Sequence, residues 1–275
     1  MAAALIRIFS DLHYGDRASR VRALSQVRPL LEDVTHLVLN GDTLDTRPGP
    51  LPAYTAACRA EVLGFFPAHV PRVSFLTGNH DADLTGNHWL DFEHGAAFAT
   101  HGDIFYDDIV PWSQDALKIR PQILAGLAAL PAREQAELGP RLGLWRRIAA
   151  AIPQRHQSET RRLRYALHFA RDTVWPPGRI WRVLRTWRHE PAIAAAFIRR
   201  HRPEARVAFV GHTHRPRVTR ISADLTLINT GSFCRPLGGF AADILGPHVH
   251  VRRIVEQAGE FRLGETIAAF SLADA

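Results

Sequence analysis

The amino-acid sequence predicts an α/β fold in which a layered sheet is interrupted by a long helical insertion. Over the first hundred residues, short apolar runs alternate with stretches whose apolar residues have helical spacing. This is the pattern of a chain in which strands and helices alternate. Residues 105–204 favour helix, and closely spaced short strands follow from residue 205 onward. We therefore divide the chain into a discontinuous core, residues 1–104 and 205–275, and a helical insertion, residues 105–204.

The first part of the core is predicted to contain four strands and two helices. Apolar runs of four or five residues, each followed by Asp, Asn, His or Gly, indicate the strands. The predicted strands are Leu5–Phe9, His36–Leu39, Val73–Leu76 and Ala96–Thr100. The predicted helices are Val21–Leu31 and Tyr54–Phe66, and Pro67 and Pro71 are expected to end the second one.

The insertion is predicted to be helical, and the second part of the core to be antiparallel sheet. Prolines separate the helices, and turn residues separate the strands. The predicted helices are Ala116–Leu130, Glu134–Ile152, Ser158–Val174, Arg179–His189 and Ala192–His201. The predicted strands are Ala205–Val210, Arg217–Ile221, Thr226–Ile228, Ala241–Leu245, His248–Val255 and Phe261–Leu263.

The composition is that of a globular protein with a sizeable core. Of the 275 residues, 46% are hydrophobic and 22% are charged, which excludes a disordered chain. The only cysteines, Cys58 and Cys234, exclude a disulfide scaffold and a cysteine-built zinc finger. No apolar run reaches the roughly 18–20 residues of a membrane-spanning helix, and Ala2–Phe9 is too short for a signal peptide. We therefore expect a cytoplasmic protein.

Positive charge is concentrated in the insertion. The chain carries a formal net charge of +7, and 33 of its 34 basic residues are arginine. Residues 105–204 hold 18 basic and 9 acidic residues, whereas the rest of the chain has a small negative excess. All six tryptophans lie between Trp89 and Trp187. This pattern indicates an anionic partner, either a phosphorylated substrate or the anionic inner face of a membrane. Nucleic acid is disfavoured as a partner, because the rest of the chain has no positive excess and the sequence has no nucleic-acid-binding motif.

Five clusters of polar residues follow predicted strands. They are Asp11-Leu12-His13, Gly41-Asp42-Thr43-Leu44-Asp45, Gly78-Asn79-His80-Asp81, His101-Gly102-Asp103 and Gly211-His212-Thr213-His214. Residues two apart in extended backbone point to the same side, so the Asp-x-His and His-x-His pairs can each face one site. A single cluster of this kind is usually only a turn, but five in succession predict a metal site. Oxygen and imidazole ligands suit Mn, Fe, Zn or Mg.

The ordered clusters resemble the calcineurin-like metallophosphoesterases, whose pattern is D-x-H, G-D-x-x-D, G-N-H-[DE], a later H and G-H-x-H. Every position of that pattern is filled here. The resemblance implies a four-layer α/β/β/α sandwich of two mixed sheets with a dimetal centre at one edge. It implies a hydrolase of phosphoester or pyrophosphate bonds that uses two divalent metal ions, of which manganese is the one we expect.

The resemblance also implies a role for each motif residue. The implied ligands of the first metal are Asp11, His13, Asp42 and His214, and those of the second are Asp42, Asn79, His101 and His212. His80 fills the position of the family's catalytic histidine, and Asp45 and Asp81 fill flanking acidic positions. Two metals neutralise phosphoryl oxygens and activate water, while a histidine outside the ligand set can protonate the leaving oxygen. A neighbouring carboxylate, Asp81 or Asp45, can hold that histidine in one tautomer.

A narrower resemblance points to the UDP-2,3-diacylglucosamine diphosphatase branch of this superfamily. It is carried by the helical insertion, the string His101–Asp108 and the string Gly211–Pro216. The branch has arginine after its Gly-Asn pair, whereas this chain has His80. The resemblance implies a lipid-linked pyrophosphate as substrate and an insertion that acts as a lid over the metals.

The predicted lid has one apolar and one basic stripe. The apolar stripe is Ile180, Val183, Leu184 and Trp187, and the basic stripe is Arg179, Arg182 and Arg185, for which we expect contact with substrate phosphates. Alternatively, the apolar stripe is the insertion's own core and the arginines are solvated. At the level of function, the alternatives are a soluble phosphomonoesterase or phosphodiesterase, including a nuclease, and a non-catalytic interaction protein with the same fold.

Overall fold

The computed structural model describes residues 4–154, 161, 163–165, 167 and 178–272. Eleven strands and five α-helices are present within these residues. The strands are β1 Leu5–Phe9, β2 His36–Asn40, β3 Arg72–Leu76, β4 Trp89–Phe92, β5 Ala97–Thr100, β6 Val207–Val210, β7 Arg217–Ser222, β8 Leu225–Asn229, β9 Phe240–Leu245, β10 His248–Gln257 and β11 Glu260–Ser271. The α-helices are α1 Pro52–His69, α2 Ala116–Ala129, α3 Ala132–Ala136, α4 Leu138–Ala150 and α5 Gly178–His201. Short 3₁₀ helices span Leu24–Leu31, Glu93–Gly95 and Asp103–Phe105.

The strands form two mixed sheets. The first sheet has six strands in the order β11-β10-β9-β1-β2-β3, in which β1, β2 and β3 run parallel and β9, β10 and β11 run antiparallel. The second sheet has five strands in the order β4-β5-β6-β8-β7, with β5, β6 and β8 parallel. Parallel strands end at one edge of a sheet, so the loops after β1, β2 and β3 lie together, as do those after β5 and β6.

Three apolar clusters separate four layers. The cluster between the two sheets includes Ile8, Val38 and Phe209. A second cluster packs the outer face of the first sheet against the Leu24–Leu31 helix and α1. A third packs the second sheet against helices of the insertion. The architecture is therefore the expected α/β/β/α sandwich.

The described helices of the insertion form the fourth layer of this sandwich rather than a separate body. Ile123 of α2, Trp145 of α4 and Ile198 of α5 are buried in one cluster with Phe98 and Val210 of the second sheet. The described helices of the predicted insertion therefore pack directly on the predicted core. Without residues 105–204, the outer face of the second sheet would lose the helices that cover it.

Several elements differ from those predicted, and prolines account for most of the differences. Pro67 lies inside α1 and does not end it. The two helices predicted on either side of Pro191 form the single helix α5, which contains this proline. A proline inside a helix costs about 3 kcal/mol, but Glu190, Ala194 and Ile198 give α5 a continuous buried face on both sides of Pro191. The predicted helix over Glu134–Ile152 breaks at Glu137 into α3 and α4, and Pro140 lies in the first turn of α4.

Two further elements differ from the prediction, and one predicted helix lies largely outside the described residues. The predicted helix Val21–Leu31 is a 3₁₀ helix over Leu24–Leu31, with Pro29 inside it. The edge strand β4 was not predicted. The predicted helix Ser158–Val174 lies largely outside the described residues. None of the described helices combines the length and the hydropathy needed to cross a bilayer.

Candidate metal centre

The five predicted motifs meet where the two sheets end. Asp11 follows β1, Asp42 follows β2, and Asn79 follows β3. His101 follows β5 and His212 follows β6, so both sheets contribute. Backbone hydrogen bonds join the loops, with the amides of Asp11 and His13 donating to the carbonyls of Gly41 and Asp42 at 3.0 Å each.

The spacing argument assumed extended backbone for the ligand pairs, but their loops form tight turns. Five of the seven predicted ligand residues have positive φ: Asp11 at 53°, His13 at 47°, Asp42 at 52°, His212 at 67° and His214 at 56°. Left-handed backbone is uncommon for residues other than glycine and persists where surrounding contacts enforce it. The side chains of each pair therefore converge through tight turns and not through strand alternation. Such strained residues are typical of functional sites.

One group of side chains corresponds to the first predicted metal position. The Nε2 atom of His214 lies 3.1 Å from Oδ1 of Asp11 and 3.2 Å from Nε2 of His13. Nε2 of His13 lies 3.7 Å from the same Asp11 oxygen and 3.9 Å from Oδ2 of Asp42. The structure thus brings together all four residues predicted for this position.

A second group shares Asp42 with the first. Nε2 of His101 lies 3.2 Å from Oδ2 of Asp42, and Nδ1 of His101 faces the carbonyl of Asn40 at 3.1 Å, which leaves Nε2 as the ligand atom. The ring of His212 lies 5.3 Å from that of His101, and its Nε2 faces the Ile109 carbonyl at 2.8 Å, so Nδ1 is left for a metal.

The chemistry of these atoms fits bound divalent metals. Oδ1 of Asp11, Oδ1 of Asn79 and Nε2 of His101 are buried and make no hydrogen bond to any described part of the chain. A buried polar atom without a partner costs about 1–3 kcal/mol, so three of them at one site indicate a missing ligand partner. One ion can satisfy several such atoms at once, and carboxylate, amide and imidazole donors suit Mn, Fe, Zn or Mg.

Two glycines make room for the carboxylates of Asp42 and Asp11. A Cβ at Gly78 would overlap the Asp42 carboxylate, and a Cβ at Gly211 would overlap the Asp11 carboxylate and Ser10. The backbone must therefore approach these side chains more closely than any other residue allows. This explains the glycines that the sequence places beside the ligands.

The site binds protons strongly when no metal is present. Burial lowers the pKa of His13, but the neighbouring carboxylates of Asp11 and Asp42 outweigh it and raise the pKa to about 9. Burial also lowers the pKa of His101, but the charges of Asp42 and Asp11 outweigh it and raise the pKa to about 10. Metal ligands must be deprotonated, so metal binding near neutral pH has to displace these protons.

His80 lies beside the ligands and is held by two partners. Its Nδ1 lies 3.0 Å from Oδ2 of Asp45 and 2.9 Å from a guanidinium nitrogen of Arg47. Arg47 also donates to both oxygens of Asp45, at 2.9 and 2.7 Å. Burial and the Arg47 charge lower the pKa of His80, while Asp42 and Asp45 oppose this shift. Since Nδ1 is engaged, Nε2 is the ring nitrogen available to a substrate.

Asp81 does not have the expected role beside His80. Its carboxylate accepts hydrogen bonds from the backbone amides of Asp42 at 3.1 Å, Thr43 at 2.7 Å and Gly78 at 2.6 Å. It therefore fastens two ligand loops to each other, and Asp45 is the carboxylate that contacts His80. Asp81 follows His80 directly in sequence, but the turn directs its side chain into the loops behind the site.

A cavity of about 340 Å³ opens onto the metal ligands. His13, Asp42, Asn79, His80, His212 and His214 line its polar end. Its apolar wall consists of Val110, Trp112, Ile119, Ile152, Val183 and Trp187, which come mainly from the insertion. Arg47, Arg179 and Arg235 contribute positive charge, and Cys234 also lines the cavity, with its thiol pKa raised by burial.

The predicted basic stripe does not face this cavity as a unit. Arg179 lines the cavity with Val183 and Trp187, whereas Arg182 and Arg185 are not among the residues of its wall. A helix turns about 100° per residue, so each step of three residues drifts by about 60° in one direction and each step of four drifts by about 40° in the other. The stripe of Arg179, Arg182 and Arg185 therefore winds away from the site.

Two buried polar contacts join the insertion to the ligand loops. In α5, the Glu190 carboxylate accepts hydrogen bonds from Thr213 Oγ1 and Asn229 Nδ2, both at 2.9 Å, and Trp187 Nε1 donates to the Thr213 carbonyl at 3.0 Å. Thr213 lies between His212 and His214, so this helix fixes the last ligand loop.

The second contact comes from α4. Arg146 donates to both carboxylate oxygens of Asp103, at 2.5 and 2.9 Å, and to Thr77 Oγ1 at 2.9 Å. Asp103 follows His101 by two residues and Thr77 precedes Asn79 by two, so one buried arginine supports two ligand loops. No sequence motif pointed to Glu190, Arg146 or Arg47. Arg47 lies two residues from its partner Asp45, so this pair alone is visible locally. The partners of Arg146 and Glu190 are distant along the chain.

Buried carboxylate, imidazole and amide groups that can hold divalent metals, opening into a cavity, are the arrangement of a metal-dependent hydrolase. The chain belongs to the calcineurin-like phosphoesterase family, whose sequence profile matches residues 4–216. This confirms the expected superfamily and the expected phosphoester hydrolase. The family binds divalent metal ions, and the described residues include three groups of potential ligands centred on Asp42 and His13.

Solved structures share the fold at low sequence identity. A dimetal phosphatase from Danio rerio matches with a TM-score of 0.50 and 14% identity, covering 99% of this chain and 100% of that one. Vacuolar protein sorting 29 from Cryptosporidium parvum matches with a TM-score of 0.48 and 12% identity, covering 98% and 100%. Vps29 from Chaetomium thermophilum matches with a TM-score of 0.46 and 12% identity, covering 98% and 95%. A search of curated protein sequences gives no significant match.

Proposed function

We propose that the protein hydrolyses a phosphoester or pyrophosphate bond in a substrate with a large apolar substituent, as a UDP-2,3-diacylglucosamine diphosphatase does. The observation that supports this proposal is the cavity, which joins the candidate metal ligands to an apolar wall. A small phosphate ester needs only the polar end. Apolar surface in a cavity stabilises a ligand by about 25 cal/mol per Å² removed from water, so such a wall favours an acyl or aromatic group.

Each part of the site has a role in this reaction. Asp11, His13, Asp42 and His214 would hold one metal, and Asp42, Asn79, His101 and His212 would hold the other. When bound, the metals neutralise the phosphoryl oxygens and lower the pKa of a water molecule. The backbone amide of His80 donates to Oδ1 of Asp42 at 2.7 Å, which orients that carboxylate.

His80 is the proton donor to the leaving oxygen. Asp45 and Arg47 hold its Nδ1, so the ring cannot rotate freely and Nε2 is directed to the cavity that His80 lines. An acid held in this way contributes on the order of 10² to 10⁴ to the rate. Arg179 and Arg235 lie on the cavity wall, where each can meet a second phosphate of the substrate.

A substrate panel with Mn²⁺ tests the proposal. The panel consists of a nucleotide diphospho-sugar with two acyl chains, the same nucleotide sugar without acyl chains, an aryl phosphate monoester and an aryl phosphate diester. We expect the acylated substrate to have the highest kcat/KM, through a lower KM. Equal kcat/KM for the two nucleotide sugars would show that the apolar wall does not select the substrate, and a preference for the aryl esters would indicate a soluble phosphoesterase.

Arg179 and an exposed arginine of the same helix give a matched pair of variants. A charge-assisted hydrogen bond contributes about 1.5–3 kcal/mol, so Arg179→Gln should raise KM for a pyrophosphate substrate roughly ten- to a hundredfold. Arg199→Gln removes a charge from the far end of α5 and should leave KM unchanged. If the two variants behave alike, Arg179 does not bind substrate.

A further inference from the structure

Large exposed apolar side chains cluster on α5, which also lines the cavity. Trp181 in α5 is 74% exposed, with Ile180 and Leu184 about half exposed beside it. Most soluble proteins do not expose such side chains close together without a function, and contiguous patches mark interaction sites.

The first half of α5 has three faces with different surroundings. Arg179, Val183 and Trp187 line the cavity, and Thr186 and Glu190 are buried. At about 100° per residue, Ile180 and Leu184 come next around the helix, followed by Trp181 and the exposed Arg185 and Arg188. The apolar stripe predicted from the sequence is therefore divided. Val183 and Trp187 face the cavity, while Ile180 and Leu184 carry the apolar surface outward.

The charge around this surface is positive. Helix α5 carries six arginines and a single carboxylate, Glu190, which is buried against Thr213 and Asn229. Exposed tryptophan and leucine interleaved with arginine are the side chains of helices that lie in the interface of an anionic bilayer. Tryptophan prefers the headgroup level, and arginine is attracted to anionic headgroups.

We propose that the outward face of α5 docks the protein on an anionic membrane surface with the cavity mouth toward the lipid. The occupant is an anionic bilayer, because the exposed apolar residues of this face are interspersed with arginines. Docking places Ile180 and Leu184 among acyl chains, and the apolar surface then continues through Val183 and Trp187 to the metal ligands. The proposal explains how an apolar substrate reaches the site, but vesicle binding tests it without any turnover.

The test measures binding of the full-length protein to vesicles of phosphatidylcholine and to vesicles that contain about one third phosphatidylglycerol. Arg185→Gln/Arg188→Gln should weaken binding to anionic vesicles about 20- to 30-fold, since each arginine near the surface contributes about 1 kcal/mol. Trp181→Ser/Leu184→Ser should weaken binding to the same vesicles at least tenfold. Thermal unfolding verifies that each variant is folded.

Two control variants match these changes elsewhere on the surface. Arg28→Gln/Arg72→Gln removes two exposed charges from the first sheet and its helical layer, and Leu63→Ser/Leu245→Ser removes two leucines of similar exposure to Leu184. Both controls should bind like the parent protein. The proposal is overturned if the parent protein binds no vesicles, if it binds neutral and anionic vesicles equally, or if the control and test variants lose binding equally. Weak vesicle binding with intact selectivity for the acylated substrate would refute docking alone, whereas strong binding without that selectivity would refute only the proposed function.

Discussion

Replacing Arg146 by methionine should strongly destabilise the protein, because it leaves a buried carboxylate without its partner. Arg146 and Asp103 are both almost completely buried and make two hydrogen bonds to each other. Breaking such a pair on one side typically costs 3–5 kcal/mol, which is a large part of the 5–15 kcal/mol that stabilises a typical protein. We therefore expect Arg146→Met to lower the free energy of unfolding by about 3–5 kcal/mol.

The free energy of unfolding that Arg146→Met removes should depend on pH, because the charge of Asp103 depends on pH. Burial raises the pKa of this carboxyl, but the Arg146 charge outweighs burial and holds the pKa below its ordinary value of 3.8. In the parent protein the ion pair therefore stabilises the fold above that pH, and this stabilisation disappears as the pH falls through the lowered pKa. Without Arg146, burial dominates and favours the neutral acid. The difference between parent and variant should thus be larger at pH 8 than at pH 5.

Urea unfolding of the two single variants and the double variant Arg146→Met/Asp103→Leu provides the assay. The double variant should recover much of the loss, because no unpaired charge remains. Metal affinity gives a second readout, since support of the loops that carry His101 and Asn79 is typically worth 10- to 100-fold in affinity. Arg133→Met, which breaks an exposed pair with Glu137, is the control and should cost at most about 0.5 kcal/mol. A loss below about 1 kcal/mol for Arg146→Met, or no recovery in the double variant, would refute this reasoning.

Three further predictions concern the site itself. Asp42→Ala should lose metal at both positions, because Asp42 contacts both ligand groups; elemental analysis that finds two tightly bound metals in this variant would contradict the bridging role. His80→Ala should retain its metals and fold but lose 10²- to 10⁴-fold in kcat with an unactivated leaving group, and less with a nitrophenyl ester, which needs no acid; an unchanged kcat would remove His80 from the reaction. Glu190→Gln should become more stable relative to the parent as the pH rises. Burial raises the pKa of Glu190 from 4.5 to about 7, so the parent loses about 3 kcal/mol of unfolding free energy between these pH values and the variant does not. Parallel pH profiles of unfolding for the two proteins would contradict a buried acid at position 190.

The sequence was sufficient to locate the ligand motifs and all the described strands except the edge strand β4. Strand β1 was predicted with its observed bounds, because a short apolar run followed by Ser10 and Asp11 has few alternatives. Helix boundaries were less predictable. Pro191 indicates a helix end locally, yet the buried face that continues from Glu190 to Ile198 holds α5 together. Packing contacts of this kind are absent from a local pattern.

The sequence by itself determined which residues can hold metals, because that property depends on residue type and on motifs that each occupy a few consecutive positions. The tertiary structure alone decided how they are arranged and supported. It placed Asp11, Asp42 and His101 within reach of one another through left-handed turns, and it assigned the contact with His80 to Asp45 and Arg47 rather than to Asp81. It also divided one apolar stripe of α5 between a cavity and the surface. The physical reason is that burial and hydrogen bonding depend on segments distant along the chain, such as α4 beside the loop after β5, which only folding brings together.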